Sequence, residues 1–178
     1  LVCHAFSGNH HVAGEDKELG KGWWDQIVGP DKALDTNKYY VVCCNNLGGC
    51  AGSSGPNTIN PETNKIYGSA FPQVSVEDWV KSQKMLMDKL NIPYWEMVAG
   101  GSLGGMQALQ WAAMHSDTVQ RVVAMTPQAK SSAWSQLVNA LSREILMQNH
   151  NWKRGIVGAD CRRLWGGLMM GLIPGTPE

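Results

Sequence analysis

Apolar residues along the chain fall into two rhythms. Short runs suited to strands come at Leu1 to Ala5, Tyr39 to Cys44, Glu96 to Gly100 and Val119 to Met125. Each is rich in aliphatic or aromatic residues and ends at turn formers: Ser7-Gly8-Asn9, Asn45-Asn46, the glycines after Gly100, and Pro127. Between them the period changes to that of a helix. Val76, Trp79, Val80, Leu86, Met87 and Leu90 recur at helical spacing. Ser75 followed by Asp78 predicts a capping box at the start of that helix, and Asn91 and Pro93 predict its end. A second helix is expected from about Leu103 to His115, with Met106, Leu109, Ala112 and Ala113 apolar. Alternating strands and helices predict an α/β fold, with a mostly parallel sheet covered by helices on both faces.

Two regions break the rhythm. Residues 45–73 are rich in Gly, Asn, Ser and Pro and predict a long loop, of the kind that often carries function. Residues 131–172 read as two or more helices without an intervening strand, carrying Trp134, Trp152 and Trp165. The expected organisation is a partial core over 1–130 and a partial helical cap over 131–178.

Charge then narrows the partners. Lys and Arg number 15 and Asp and Glu number 15, so the net charge is zero. A nucleic-acid binder needs a basic excess, so small molecules are the expected partners. No apolar run is long enough for a membrane span, and Leu1-Val2-Cys3-His4 lacks the marks of a secretory leader. The cysteines are Cys3, Cys43, Cys44, Cys50 and Cys161, an odd number without a C-x-x-C pair. This predicts reduced, mostly buried thiols in a cytoplasmic protein, with no metal site and no cofactor. The chain opens directly on an apolar run and ends without a closing element, so both ends are expected to be cuts within a longer protein.

The chemistry is concentrated in Gly100-Gly101-Ser102-Leu103-Gly104, a G-x-S-x-G sequence between an expected strand and an expected helix. In that context a sharp turn exposes the serine hydroxyl at the sheet edge, and Ser102 is the expected nucleophile. Side chains at the flanking glycines would collide with the neighbouring strand and helix. Acyl transfer also needs an oxyanion hole. The backbone N–H of Leu103 is one expected donor, and that of Phe6, in the loop His4-Ala5-Phe6-Ser7-Gly8, is the other. His4 reads as a residue that ties this loop rather than as a catalytic base.

These residues lie within longer stretches that resemble the homoserine O-acetyltransferase (homoserine O-acyltransferase) family of the α/β-hydrolase superfamily. They include Gly22-Trp23-Trp24-Asp25, Ile27-Val28-Gly29-Pro30, Asn46-Leu47-Gly48-Gly49-Cys50, Gly52-Ser53-Ser54-Gly55-Pro56, Asn60-Pro61-Glu62-Thr63 and Gly100 through Gln107. The resemblance implies an α/β-hydrolase fold with a helical cap. It also implies acyl transfer from acetyl-CoA or succinyl-CoA to the hydroxyl of homoserine, in methionine biosynthesis. Ser102 would carry the acyl group between the two half-reactions, and the protein would be a homodimer. In the family an Arg within an Asn-x-x-x-Arg pattern holds the acceptor's carboxylate; Asn139-Ala140-Leu141-Ser142-Arg143 fits, so Arg143 is the candidate here. Residues 126–134, and Ala140 after Asn139, depart from the family pattern. Serine as acceptor, or water in an esterase, are therefore alternative readings; a binding module without catalysis is a third.

In such folds the triad acid and base follow the nucleophile in the chain. His115 sits at the far end of a helix about 18 Å long and cannot reach Ser102. His150 falls in the expected cap. The acid and the base are therefore expected outside this chain.

Overall fold

The computed structural model describes residues 1–49 and 51–148. The chain forms two compact units: Leu1–Ser54 with Gln73–Ala129, and Gly55–Pro72 with the chain from Lys130 onward.

The first unit is built on a parallel sheet of β1 (Val2–Cys3), β2 (Val98–Gly101) and β3 (Val122–Met125), in that spatial order. Val2 lies opposite Ala99, and Gly101 lies opposite Met125. Helix α1 (Val76–Lys89) precedes β2, and helix α2 (Leu103–Met114) connects β2 to β3. The expected capping box is present: the Ser75 hydroxyl accepts from the Asp78 N–H at 3.2 Å, and the Asp78 carboxylate accepts from the Ser75 N–H at 2.9 Å. Beyond α1 the chain turns at Asn91, which adopts a left-handed φ of 54°.

Strand alternation decides which side chains meet the helices. Cys3, Val98, Val122 and Ala124 join a core with Val80 and Met87 of α1 and Ala108 and Trp111 of α2. Trp95 packs edge-on against Trp111, with ring centroids 6.4 Å apart. On the other parity, Val123 and Met125 are 41% and 37% exposed.

The Tyr39–Cys44 run does not form the expected strand. It makes one parallel bridge, Val2 with Cys43, and one hydrogen bond from the Val2 N–H to the Val42 carbonyl at 2.8 Å. The reason is pairing rather than propensity. Its neighbour β1 is only two residues long, and Tyr39 and Tyr40 are 48% and 75% exposed, without a packed face to hold them. The thiols of Cys3, Cys43 and Cys44 are free; burial pushes Cys43 up to about 12 and Cys44 to about 11, and raises Cys3 further. Short two-residue pairings fasten the loops of this unit: Glu15–Asp16 with Gly20–Lys21, and Val28–Gly29 with Leu34–Asp35.

The loop expected over 45–73 divides between the units; its Gly55–Pro72 part, in the second unit, contains an antiparallel pair, Ile59–Asn60 with Lys65–Ile66, and a short turn of helix at Gly68–Ala70. Helix α3 spans Ala133–Gln148. Cys50, His150, Trp152, Cys161 and Trp165 lie outside the described residues. No helix among the described residues is long and apolar enough to cross a membrane.

Candidate active site

The strand β2 ends at Gly101 and α2 begins at Leu103, so one residue makes the whole turn. Ser102 does so with φ 55° and ψ −117°, a conformation L-residues rarely adopt. Holding a non-glycine residue there costs on the order of 1–3 kcal/mol and persists only when the surroundings fix it. Here they do. The Ser102 N–H donates to the Met125 carbonyl at 2.9 Å, and its own carbonyl accepts from the Met106 N–H at 3.1 Å.

The motif glycines permit the close approach that this turn requires. A Cβ on Gly104 would lie 2.0 Å from the Cys3 carbonyl oxygen, and one on Gly100 would lie 2.4 Å from the backbone of Gly104. The first turn of α2 therefore rests directly on the end of β1.

Leu103 is the first residue of α2, where the N–H has no intrahelical acceptor and the helix dipole presents its positive end. The other expected donor, Phe6, sits with Ser7 in the middle of a turn closed by the Gly8 N–H on the Ala5 carbonyl at 2.9 Å. His4 anchors this turn. Its Nδ1–H donates to the Ala5 carbonyl at 2.7 Å, and its Nε2 accepts from the Asn46 N–H at 3.1 Å. That pair of bonds selects the neutral Nδ1–H tautomer. Burial holds the imidazole below its ordinary pKa. With both nitrogens engaged, His4 serves as a strut between two loops at the sheet edge.

Beneath the elbow lies a buried polar chain that sequence reasoning missed. Trp111 Nε1–H donates to Gln83 Oε1 at 2.6 Å, and Gln83 Nε2 donates to Gln107 Oε1 at 2.6 Å. Gln107 Nε2 then reaches the carbonyls of His4 and Leu103, at 3.4 Å each. Both glutamines are buried. The signal was available: Gln83 lies between Val80 and Met87 on the apolar stripe of α1, where a surface residue would not fall.

Other candidates are placed separately. His115 caps the far end of α2, its ring tilted by 56° against that of Trp111 with centroids 5.1 Å apart and its Nε2 buried and unpartnered. Arg143 lies on α3 in the second unit and is exposed. Among the described residues, no three His, Cys, Asp or Glu side chains converge as a cation site. A cleft of about 710 Å³ is lined by Leu34, Tyr40, Ile92, Trp95 and Met97, which places it before the start of β2 rather than at the elbow.

Comparison with known proteins agrees with this geometry. A family model for the alpha/beta hydrolase fold matches residues 1–168. A homoserine O-succinyltransferase from Hahella chejuensis is 48% identical, over 98% of this chain and 46% of its own length. The chain thus spans about half the length of that relative. Among solved structures, the homoserine O-acetyltransferase from Bacillus anthracis superposes with a TM-score of 0.86 at 31% identity, over 96% of this chain and 50% of that one. Esterase E22 superposes with a TM-score of 0.82 at 33% identity, over 95% of this chain and 49% of that one. With a strained serine between a parallel strand and a helix, and a family model matched along most of its length, the chain belongs to the α/β-hydrolase fold family.

Proposed function

We propose that the complete protein transfers an acyl group, acetyl or succinyl, from acyl-CoA to the hydroxyl of homoserine through an ester on Ser102. The observation that carries the reading is the backbone of Ser102, φ 55° and ψ −117°, in a protein similar to named homoserine O-acyltransferases. Ser102 Oγ adds to the thioester carbonyl and gives up its proton to a base. The carbonyl oxygen becomes an oxyanion, and the N–H groups of Leu103 and Phe6 stabilise it. Collapse breaks the C–S bond, and CoA leaves as the thiol after taking a proton. The homoserine hydroxyl then attacks the ester, its proton passes to the same base, and Ser102 is regenerated. Acyl-CoA is consumed as a substrate, so the reaction asks for no resident cofactor.

Arg143 takes the acceptor's carboxylate in this reading, because a planar guanidinium fork matches it with paired hydrogen bonds. The base lies elsewhere than His4, whose ring nitrogens are both engaged, and His115, at the far end of α2. The experiment supplies the complete protein with acetyl-CoA or succinyl-CoA and follows release of free CoA thiol with and without homoserine. Thiol release that depends on homoserine supports transfer. The likeness to esterase E22 favours a second reading, hydrolysis. In that case thiol or alcohol release proceeds at the same rate without any amino-acid acceptor.

A further inference from the structure

The buried chain under the elbow has a direction, and the direction is set at one end. An indole N–H can only donate, so Trp111 obliges Gln83 to present Oε1 towards it. The Gln83 amide nitrogen then faces Gln107, which must present Oε1 in turn. Only one orientation is left for Gln107: its NH2 group points at the carbonyls of His4 and Leu103. Flipping either amide would set oxygen against oxygen or nitrogen against nitrogen in a site closed to water, where an unmade bond is expensive.

Those carbonyls belong to the segments that supply the oxyanion donors. Leu103 is one donor itself, and the His4 carbonyl lies in the peptide that leads through Ala5 to Phe6. No side chain separates the segments, since a Cβ at Gly104 would lie 2.0 Å from the Cys3 carbonyl and 3.1 Å from the His4 carbonyl. Gln107, one turn along α2, reaches in from below with a single NH2 shared between them.

We propose that Gln107 is a positioning residue that sets the separation of the Leu103 and Phe6 N–H groups, with its own orientation fixed by Gln83 and ultimately by Trp111. The proposal rests on the acyl-enzyme reading of Ser102. Small errors in such a separation act on the transition state far more than on the bound substrate, because the donors are aimed at the developing oxyanion.

The test uses the complete protein and p-nitrophenyl acetate, which acylates the serine without any acceptor. The amplitude of the p-nitrophenolate burst counts folded sites; its rate constant reports their geometry. Gln107→Met keeps the volume and removes the amide. The burst rate constant is expected to fall roughly 10- to 100-fold, with the half-saturating ester concentration within about twofold of the parent. Trp111→Phe removes the donor that fixes the direction, together with part of a buried ring, and is expected to slow the burst by roughly 3- to 10-fold at unchanged amplitude. A purely structural role predicts reduced amplitude with an unchanged rate constant, and that result overturns the proposal. If Gln107→Met gives no folded protein, Trp111→Phe decides alone: an unchanged rate constant at full amplitude overturns it. A parent protein that releases no p-nitrophenolate at all, in a burst or in steady turnover, by contrast overturns the acyl-enzyme reading and this proposal with it.

Discussion

The backbone N–H of Ser102 donates to the carbonyl oxygen of Met125, 2.9 Å away. This bond extends the pairing of β2 with β3 one residue past Gly101 and into the elbow. It also engages the nucleophile's own N–H with the neighbouring strand. In the proposed reaction the oxyanion is met instead by the N–H of the next residue, Leu103, at the start of α2. Thr126, directly after Met125, has φ 47°, an uncommon conformation for a β-branched residue, so two strained residues stand side by side at one sheet edge.

Strain at Ser102 gives a stability prediction. Glycine occupies φ 55°, ψ −117° at little cost, whereas alanine does not relieve it. Ser102→Gly is expected to be more stable than Ser102→Ala by about 1–2 kcal/mol, read from urea unfolding midpoints. Both should lose activity by a factor on the order of 10⁴ to 10⁶. Equal stabilities would mean that the elbow is unstrained.

The two glycines beside the nucleophile should respond in opposite ways. A methyl at Gly104 collides with the Cys3 carbonyl at 2.0 Å, and backbone atoms on both sides must move. Gly104→Ala is expected to cost about 3 kcal/mol or more and to abolish acylation. A Cβ at Gly101 meets nothing within 4 Å, so Gly101→Ala should change stability by less than about 1 kcal/mol. Denaturant titration of both variants checks the contrast.

The neutral His4 strut predicts a pH signature. Burial lowers its folded-state pKa below 6.5, while the unfolded chain takes its proton near that value. Between the two the unfolded state binds more protons. Stability from this residue is therefore complete above about pH 6.5 and falls as pH drops through the window down to the folded pKa. Subtracting the pH profile of His4→Gln from that of the parent should reveal this slope. His4→Ala, which leaves the Asn46 N–H without its acceptor, should cost about 2–3 kcal/mol at neutral pH.

Arg143 should separate the half-reactions. In Arg143→Ala, KM for homoserine is expected to rise steeply, while the acylation burst from acyl-CoA stays near that of the parent. An unchanged KM would make Arg143 a surface residue of α3.

Local signals carried most of what the sequence revealed. The Ser75–Asp78 capping box, the Asn91 stop and the Ser102 elbow depend on residues within a few positions of each other, and each formed where its pattern lay. Tyr39–Cys44 was misleading because aromatic and β-branched residues favour a strand only when a partner of matching length lies beside them, and β1 provides Val2 and Cys3 alone. The Gln83–Gln107 pair is legible only in part. The place of Gln83 on the apolar stripe of α1 marks it as buried, but the donor that satisfies it, Trp111, is 28 residues away and is not local to it in the sequence. His4 reads as a tie from its place in the loop, but its partner Asn46, 42 residues away, is visible only in three dimensions.

The most direct measurement is the mass of the peptide containing Ser102 after the complete protein is mixed with acetyl-CoA or succinyl-CoA and quenched. Without acceptor, the peptide should gain one acyl group on Ser102, and Ser102→Ala should gain none. Adding homoserine before the quench should discharge the ester and yield O-acylhomoserine in equal amount. An unmodified Ser102 peptide during turnover, or an acyl group on a different residue, would contradict the assignment of Ser102 as the acyl carrier.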